Sequence, residues 1–365
     1  MSTTVPAPGT YLLDPYMEWA TNEGVPVHLD FGHDLLALKT DTWARYDARG
    51  CFAHTHGRGD FAANYVLEIE PGKKTRPVKH LYEAFFYVLS GFGSTVVWLP
   101  NGTTRTFEWG PKALFAIPLN AKHRHFNSSG RERALLVTTT DLPVVLNIFH
   151  NAKFVFDTEF AFMERAGKSA YYSGEGDLIT VRPGNHMWET NFVPDLAGFS
   201  LYELEARGKA SKNVYFLLAD GTLHSHLSEI PVGRYKKGHR HAAGTHVHAV
   251  SGEGYSLLWY DIAKELVRVD WSHGVVFAPP DAMFHQHFNT GAEPARYLAL
   301  RWNNWRYRFM RSQDGEGGTF TSLKLGGNQI EFEDEDASIH QDFEAAMKLA
   351  GAKCNMPYHP GCTQK

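Results

Sequence analysis

The stretch GHRHAAGTHVH, residues 238–248, places four histidines within ten positions. Two imidazoles at positions i and i+2 of an extended strand point to the same face, so His239 and His241 share a face. A turn at Ala242-Ala243-Gly244 would send the chain back and bring His246 opposite that pair. Histidine nitrogens are common ligands of first-row metals. The stretch therefore predicts a metal centre on one hairpin, with His248 as the rival of His246 because both have the same strand parity.

Composition restricts the kind of protein. A chain of 365 residues, 43% of them hydrophobic, exceeds one ordinary core and suits two domains. With a net charge of −4, the chain lacks the excess of basic residues that is typical of a nucleic-acid binder. No apolar run is long enough to span a bilayer. The N-terminus has no signal-peptide pattern, and the three cysteines form no CxxC pair. We therefore expect a cytoplasmic protein with neither nucleic acid nor membrane as partner.

The chain repeats itself after 161 residues, and after 162 once one extra residue has entered the second copy. The identities fall on turn residues and on residues that suit metal binding. The matched pairs are Gly72 and Gly233, His80 and His241, Ser90-Gly91 and Ser251-Gly252, Gly93 and Gly254, Trp98 and Trp259, Trp109 and Trp271, Phe115-Ala116 and Phe277-Ala278, Pro118 and Pro280, His123 and His285, and His125-Phe126-Asn127 and His287-Phe288-Asn289. The sequence thus predicts a duplicated domain.

Each copy has the sequence pattern of β structure. Short β-branched or apolar runs such as 94–98, 254–260 and 295–301 alternate with Gly, Pro and Asn turns, as in sandwiches and barrels. Helical periodicity is confined to the end, where Ile339, Phe343 and Met347 recur at helical spacing. Beyond that helix, Cys354, His359 and Cys362 have a loose spacing that favours a surface tail over a zinc site.

In these residues the chain resembles the cupin superfamily. The first cupin motif is matched by Gly233, His239, His241 and the turn Ser251-Gly252-Glu253-Gly254; the second is matched by Gly274, Pro280, His285 and Asn289, with Ala282 where the family has glycine. Because both copies carry the pattern, the chain resembles bacterial bicupins labelled ethanolamine ammonia-lyase-activating-like. The resemblance implies an all-β fold of two tandem jelly-roll barrels at 1–160 and 161–330, followed by a short C-terminal helix and tail at 331–365.

The resemblance also implies the metal ligands, expected to be His239, His241, His246 and His285. The usual glutamate ligand is missing, since its position falls near Gly244 and Thr245. An all-histidine set is similar to the gentisate-dioxygenase type of cupin rather than to the oxalate-decarboxylase type. Neutral ligands leave the charge of the ion uncompensated, which favours an anionic substrate. Fe(II) is the favoured metal, with Mn(II), Ni(II) and Zn(II) as alternatives.

The N-terminal copy has lost part of the pattern. Val78 and Phe85 stand where the C-terminal copy has His239 and His246, and Lys112 and Asn120 replace the two glycines of the second motif. The residues left for a residual site are His80, Glu83 and His123. We expect this copy to be free of metal.

Substrate-binding candidates surround the predicted centre. Arg301 and Arg234 are the expected anchors for a carboxylate, because guanidinium binds carboxylate in a bidentate way. The aromatic candidates for the barrel mouth are Tyr255, Trp259, Phe277 and Phe284, of which strand alternation would turn only some inward. His287 is interpreted as a space-filling ring, Asn127 and Asn289 as residues that close turns, and the pairs His54-Thr-His56 and His224-Ser-His226 as surface loops.

These features favour a metal-dependent oxidoreductase, a non-haem Fe(II) dioxygenase that acts on a small oxygen-chelating organic substrate in the C-terminal barrel. One alternative keeps the site but uses Mn, Ni or Zn as Lewis acid for an isomerase, lyase or hydrolase reaction. Another is a non-catalytic ligand-binding or accessory bicupin. The bicupin resemblance further implies a homo-oligomer.

Overall fold

The computed structural model describes residues 13–160, 162–182, 185–204, 206, 208–242, 244–260, 265–302, 306–307, 318 and 320–363. The first half contains β1 (Val27–Asp30), β2 (Gly32–Asp34), β3 (Asp41–Trp43), β4 (Ala48–Thr55), β5 (Ala63–Ile69), β6 (Ala84–Ser90), β7 (Gly93–Trp98), β8 (Thr104–Trp109), β9 (Leu114–Ala116), β10 (Lys122–Asn127) and β11 (Ala134–Thr140). Three short helices flank these strands: α1 (Pro15–Asn22), α2 (Leu142–Phe149) and α3 (Ala152–Asp157).

The second half continues with β12 (Asp177–Arg182), β13 (Asn185–Thr190), β14 (Phe192–Val193), β15 (Tyr202–Glu203), β16 (Lys212–Leu218), β17 (Leu223–Ile230), β18 (His246–Ser251), β19 (Gly254–Trp259), β20 (Val267–Trp271), β21 (Val275–Phe277), β22 (Phe284–Asn289) and β23 (Ala295–Trp302). The helix α4 (Ala337–Leu349) follows, and short 3₁₀ turns lie at Met163–Arg165, Ser169–Tyr172 and Leu323–Leu325.

Each half pairs a large sheet with a small one. The large N-terminal sheet has the order β1-β4-β5-β11-β6-β9-β14, and the small sheet is β10-β7-β8. The C-terminal counterparts are β12-β13-β16-β17-β23-β18-β21-β2 and β20-β19-β22. Non-consecutive strands lie side by side in the same way in both halves, as in a jelly roll. The expected all-β fold of two tandem jelly rolls is confirmed, as is the C-terminal helix.

The two halves exchange edge strands. The N-terminal strand β2 pairs with β21 through Gly32–Asp34 and Val275–Phe277. In return β14, which lies beyond residue 160, pairs with β9 of the first half. Between the halves lies a shared core to which both contribute buried apolar side chains, among them Phe85, Tyr87, Leu227 and Val250. The boundaries at 160/161 and 330/331 stay predictions, while the sheets themselves cross the first of them.

The repeated glycines have a steric reason. A Cβ on Gly93 would lie 2.1 Å from the carbonyl oxygen of Phe126, and a Cβ on Gly254 would lie 1.9 Å from that of Phe288. Trp109 and Trp271 close over the same two glycines, with ring atoms 2.3 and 2.7 Å from the added carbon. Each glycine therefore lets a tryptophan and a neighbouring strand approach its backbone closely.

The second cupin motif keeps its backbone shape where its glycines are lost. Lys112 and Asn120 have φ of 70° and 57°, and Ala282 has φ of 58°. Gly274, which occupies the Lys112 position of the second copy, has φ of 96°. Left-handed backbone costs a residue with a Cβ about 1–2 kcal/mol. The three non-glycine residues are thus held in strained turns by the surrounding sheets.

Helix α4 packs on the outer side of the small C-terminal sheet. Its buried residues Ile339, Phe343 and Met347 contact a cluster that includes Tyr255 and Phe288. The helix begins after Asp336, whose carboxylate accepts the backbone N–H of Ser338. The periodic pattern predicted this buried face.

Candidate metal centre

Three of the predicted ligands converge. His239, His241 and His285 each offer a nitrogen, and these atoms lie within 4.8 Å of one another. His285 lies on β22, and the segment carrying His239 runs beside it, with backbone bonds of 3.1 Å (His239 N–H to His285 C=O) and 2.8 Å (His285 N–H to His239 C=O). On the other side of His239, the chain around Gln329 forms a second bridge. The cluster is thus fixed by backbone pairing on both sides.

The three rings share one tautomer. Each Nδ1 lies within hydrogen-bond distance of a backbone carbonyl: His239 to Lys237 O at 3.1 Å, His241 to Ala242 O at 2.8 Å, and His285 to Met283 O at 3.2 Å. A carbonyl only accepts, so each Nδ1 carries the hydrogen. The lone pair of each ring is therefore on Nε2, the arrangement that a metal-ligating histidine needs. The residues present fit a divalent metal ion.

His246 lies outside this group. Val247 pairs with Phe277 and Ala299 on the inner face of the second half, so its neighbours in β18 face the other way. The His246 ring instead lies 3.5 Å from Thr55 Oγ1, and His248 lies 3.2 Å from Thr139 Oγ1, both in the N-terminal half. The expected return hairpin includes Ala243, which lies outside the described residues. The structure does not bring His246 or His248 to the other three histidines, because strand parity turns both towards the opposite half.

His287 lies next to the cluster in a hydrogen-bonded relay. The indole N–H of Trp271 donates to Ser256 Oγ at 3.0 Å, and Ser256 Oγ lies 2.8 Å from His287 Nδ1. The first half repeats this relay with Trp109, Thr95 and His125. The relay fixes the orientation of the His287 ring. His287 is thus a positioned side chain beside the cluster, in addition to the space-filling ring that the sequence suggested.

Charged and polar groups line the inner face of the second half. Arg301 pairs with His224, and Ala299 with His226, in the register of β17 and β23. The Nε of Arg301 is buried and makes no hydrogen bond. Burial lowers the pKa of His224 well below its usual value, and the charge of Arg301 lowers it further. The pair His224-Ser-His226 therefore lies on a strand of the inner wall, and its interpretation as a surface loop was wrong.

The aromatic candidates divide between the two faces of the small sheet. Phe277 lies inside, with its ring 5.7 Å from that of His287. Tyr255, Trp259 and Phe284 alternate with inward residues such as Ser256 and His285, and so face outwards. Tyr255 stacks on Phe288, and Trp259 stacks on Phe284. The structure thus places these three on the face of the small sheet away from the histidine cluster.

Arg234 is also placed away from the cluster. Its Nη1 donates to the carbonyl of Lys209 at 2.8 Å, and its guanidinium lies over the ring of Tyr358. Two residues further along the chain, Lys236 faces the interior. It is 1% exposed and donates to the hydroxyl of Tyr297 at 3.2 Å. Sequence reasoning missed Lys236 and Tyr297. The signal that could have found Tyr297 is its spacing of four residues from Arg301, which gives both the same strand parity.

In the N-terminal half, as far as the structure describes it, His80 and His123 meet without a third donor. The rings of His80 and His123 lie 5.3 Å apart, and each Nε2 is buried without a hydrogen-bond partner. The carboxylate of Glu83 points away, because it accepts Thr222 N–H at 2.7 Å, Leu223 N–H at 2.8 Å and Arg165. Among the described residues, no cluster of three donors includes this pair. A cavity of about 840 Å³ opens beside His80.

His54 is also buried, contrary to the expectation of a surface loop. It lies on β4, is 1% exposed and meets the hydroxyl of Tyr16 at 2.7 Å. Asn127 and Asn289 close turns as expected: their side chains donate to the carbonyls of Glu132 and Glu293, at 2.8 and 2.9 Å.

No family model matches the chain. A curated relative, the 5-aminosalicylate 1,2-dioxygenase of a Comamonas species, is 36% identical over 77 residues, 21% of this chain and 19%, or about a fifth, of that enzyme. Among solved structures, a deletion mutant of Bacillus subtilis oxalate decarboxylase has a TM-score of 0.47 and 15% identity over 75% of this chain and 77% of that chain. A tryptophan-to-tyrosine mutant of the same enzyme has a TM-score of 0.48 and 14% identity over the same shares.

Along the part of the chain that the structure describes, no helix is both long enough and apolar enough to cross a bilayer. In its internal repeat, its histidine motif and its paired jelly-roll sheets, the chain resembles the bicupins.

Proposed function

We propose that the chain is a metal-dependent dioxygenase whose active centre is His239, His241 and His285. The observation that carries the proposal is the convergence of three imidazoles of one tautomer within 4.8 Å, with no carboxylate in the group. Three neutral ligands leave coordination positions open and leave the charge of the ion uncompensated. Both features suit a substrate that binds through anionic oxygens. Similarity to an aminosalicylate dioxygenase supports the same chemistry.

The metal is proposed to be Fe(II), which when bound supplies the Lewis acidity and the electrons that O₂ activation needs. The inner wall carries the guanidinium of Arg301, whose buried Nε makes no hydrogen bond. A guanidinium binds a carboxylate in a bidentate way. We infer a small aromatic carboxylate with an adjacent ring hydroxyl as the substrate class.

Two further groups orient the substrate in this proposal. His287, held by Ser256, has its ring 5.5 Å from that of His285, and Tyr297 packs its ring 5.0 Å from that of His287. A side chain fixed by a relay loses little entropy when it contacts a substrate. Phe277 supplies an apolar surface on the same face.

The test combines metal content with oxygen uptake. Protein reconstituted with Fe(II) is given a panel of hydroxylated and aminated benzoates, and O₂ consumption is measured with product formation. We expect stoichiometric O₂ uptake, lost in His285→Ala. His246→Ala is the matched control, because it removes a buried histidine of the other face and should keep iron and activity. Turnover of a substrate without O₂ consumption would instead support a lyase or isomerase reaction at the same centre.

A further inference from the structure

A second cluster of metal-binding side chains lies at the C-terminus. Its members, here named the tail cluster, are His340 and Glu344 on α4 and Cys354 and Cys362 in the following segment. Their ligand atoms all lie within 4.8 Å of one another. His340 is 1% exposed and the cysteines are 8% and 6% exposed. The expectation of a surface tail was therefore wrong, because α4 and the chain after it fold back on each other.

The spacing of the two sulfurs is compatible with a shared ion. Cys354 Sγ and Cys362 Sγ lie 3.9 Å apart. A disulfide would need about 2.05 Å, whereas two thiolates at about 2.3 Å from a tetrahedral zinc lie about 3.8 Å apart. Thiolate sulfur also selects zinc over the hard cations.

The tautomer of His340 suits a ligand. The hydroxyl of Tyr235 donates its hydrogen to Glu335, so its oxygen accepts from His340 Nδ1 at 2.8 Å. With Nδ1 protonated, the lone pair of the ring is on Nε2. That Nε2 is buried and makes no hydrogen bond, while Glu344 Oε1 lies 3.5 Å away. The tyrosine and Glu335 thus provide the outer support that metal-bound histidines have.

The fourth donor is held in place as well. Glu344 lies one helical turn after His340, and its carboxylate accepts the backbone N–H and the hydroxyl of Thr363 at 2.8 and 2.6 Å. A divalent cation binds cysteine as the thiolate and releases its proton.

We propose that the tail cluster binds a structural zinc ion. Four protein ligands close the coordination sphere, as in structural rather than catalytic zinc sites. The ion would join α4 to the final segment on the outer side of the small sheet, where Tyr235 and Phe288 pack against the same helix. The site is separate from the three-histidine centre, which has no sulfur ligand.

Metal analysis tests the proposal. In a His239→Ala/His285→Ala protein purified without chelator, we expect about one zinc per chain to remain. That zinc should be lost in Cys354→Ser and Cys362→Ser made in the same background, and kept in Cys51→Ala, which removes a buried cysteine of the inter-half core. Retention of the zinc in both serine variants would overturn the assignment.

A second measurement avoids variants that fail to fold. The wild-type protein is stripped and loaded with Co(II), and the absorption spectrum is recorded. Thiolate ligation predicts an intense sulfur-to-cobalt charge-transfer band in the near ultraviolet, together with visible bands of tetrahedral intensity. A spectrum without the charge-transfer band would refute the tail site, and so would mass spectrometry that finds Cys354 and Cys362 oxidised to a disulfide in the fresh protein.

Discussion

Glu83 is expected to act as a clamp between the halves rather than as a metal ligand. Its side chain is 9% exposed and ion-pairs with Arg165, while two backbone N–H groups of the C-terminal half donate to its carboxylate at 2.7 and 2.8 Å. Removing one partner of a buried ion pair costs about 3–5 kcal/mol. Each backbone N–H left without an acceptor costs about 1–3 kcal/mol when water cannot reach it. Because these costs overlap, we expect Glu83→Ala to lower the free energy of unfolding by about 3–5 kcal/mol.

Urea unfolding followed by tryptophan fluorescence measures this change. Glu83→Gln keeps one oxygen acceptor and should cost about half as much. The control is Glu159→Ala, which breaks the ion pair of Lys79 with a side chain that is 89% exposed, and should cost less than about 1 kcal/mol. A loss below about 1 kcal/mol for Glu83→Ala would refute the clamp. Loss of a metal equivalent at unchanged stability would show instead that Glu83 is a ligand.

Three other changes probe different parts of the molecule. Burial lowers the pKa of His54 from 6.5 to about 3, so the unfolded chain binds the extra proton between these values. The protein therefore becomes less stable as the pH is lowered through that window. Between pH 7 and pH 4.5, the free energy of unfolding measured in urea titrations should fall by about 2–3 kcal/mol less in His54→Gln than in the wild type. An equal fall in both proteins would contradict this. Ala282→Gly should relieve the strained φ of 58°, which should raise the free energy of unfolding by about 0.5–1 kcal/mol and the melting temperature with it. Ala278→Gly should lower the melting temperature. Ser256→Ala should lower kcat/KM without loss of metal, while Thr95→Val, its counterpart in the first half, should leave kcat/KM unchanged; equal effects would contradict a role for the relay at the site.

The repeat made the fold predictable. Identities such as Gly93 and Gly254 are required by the approach of a neighbouring strand, so they persist in both copies and reveal the duplication. The short runs at 94–98 and 254–260 became β7 and β19 almost to the residue. Local sterics and strand propensity act within a few residues, and a single sequence displays them.

The faces of the strands were harder to predict. His246 was assigned to the site because a turn at 242–244 was expected to fold it back onto the first histidine pair, yet the register of β18 turns it towards Thr55. Tyr255 and Trp259 are aromatic residues of the kind expected at a barrel mouth, but they alternate with the inward side chains and so face outwards. Parity depends on where a strand begins, and one residue of uncertainty reverses every side chain. A zinc site at Cys354 and Cys362 was set aside for another reason: these cysteines meet His340 and Glu344 only through tertiary packing of α4.

Because the two halves exchange edge strands, the stability of each half depends on the other. The halves already share a buried core, and the exchange of β2 and β14 adds backbone pairing to it. Removing the N-terminal half would strip β21 of its outer partner and expose an unpaired strand edge, which invites aggregation. We therefore expect substitutions along β2 and β14 to destabilise both halves, whichever half holds the metal centre.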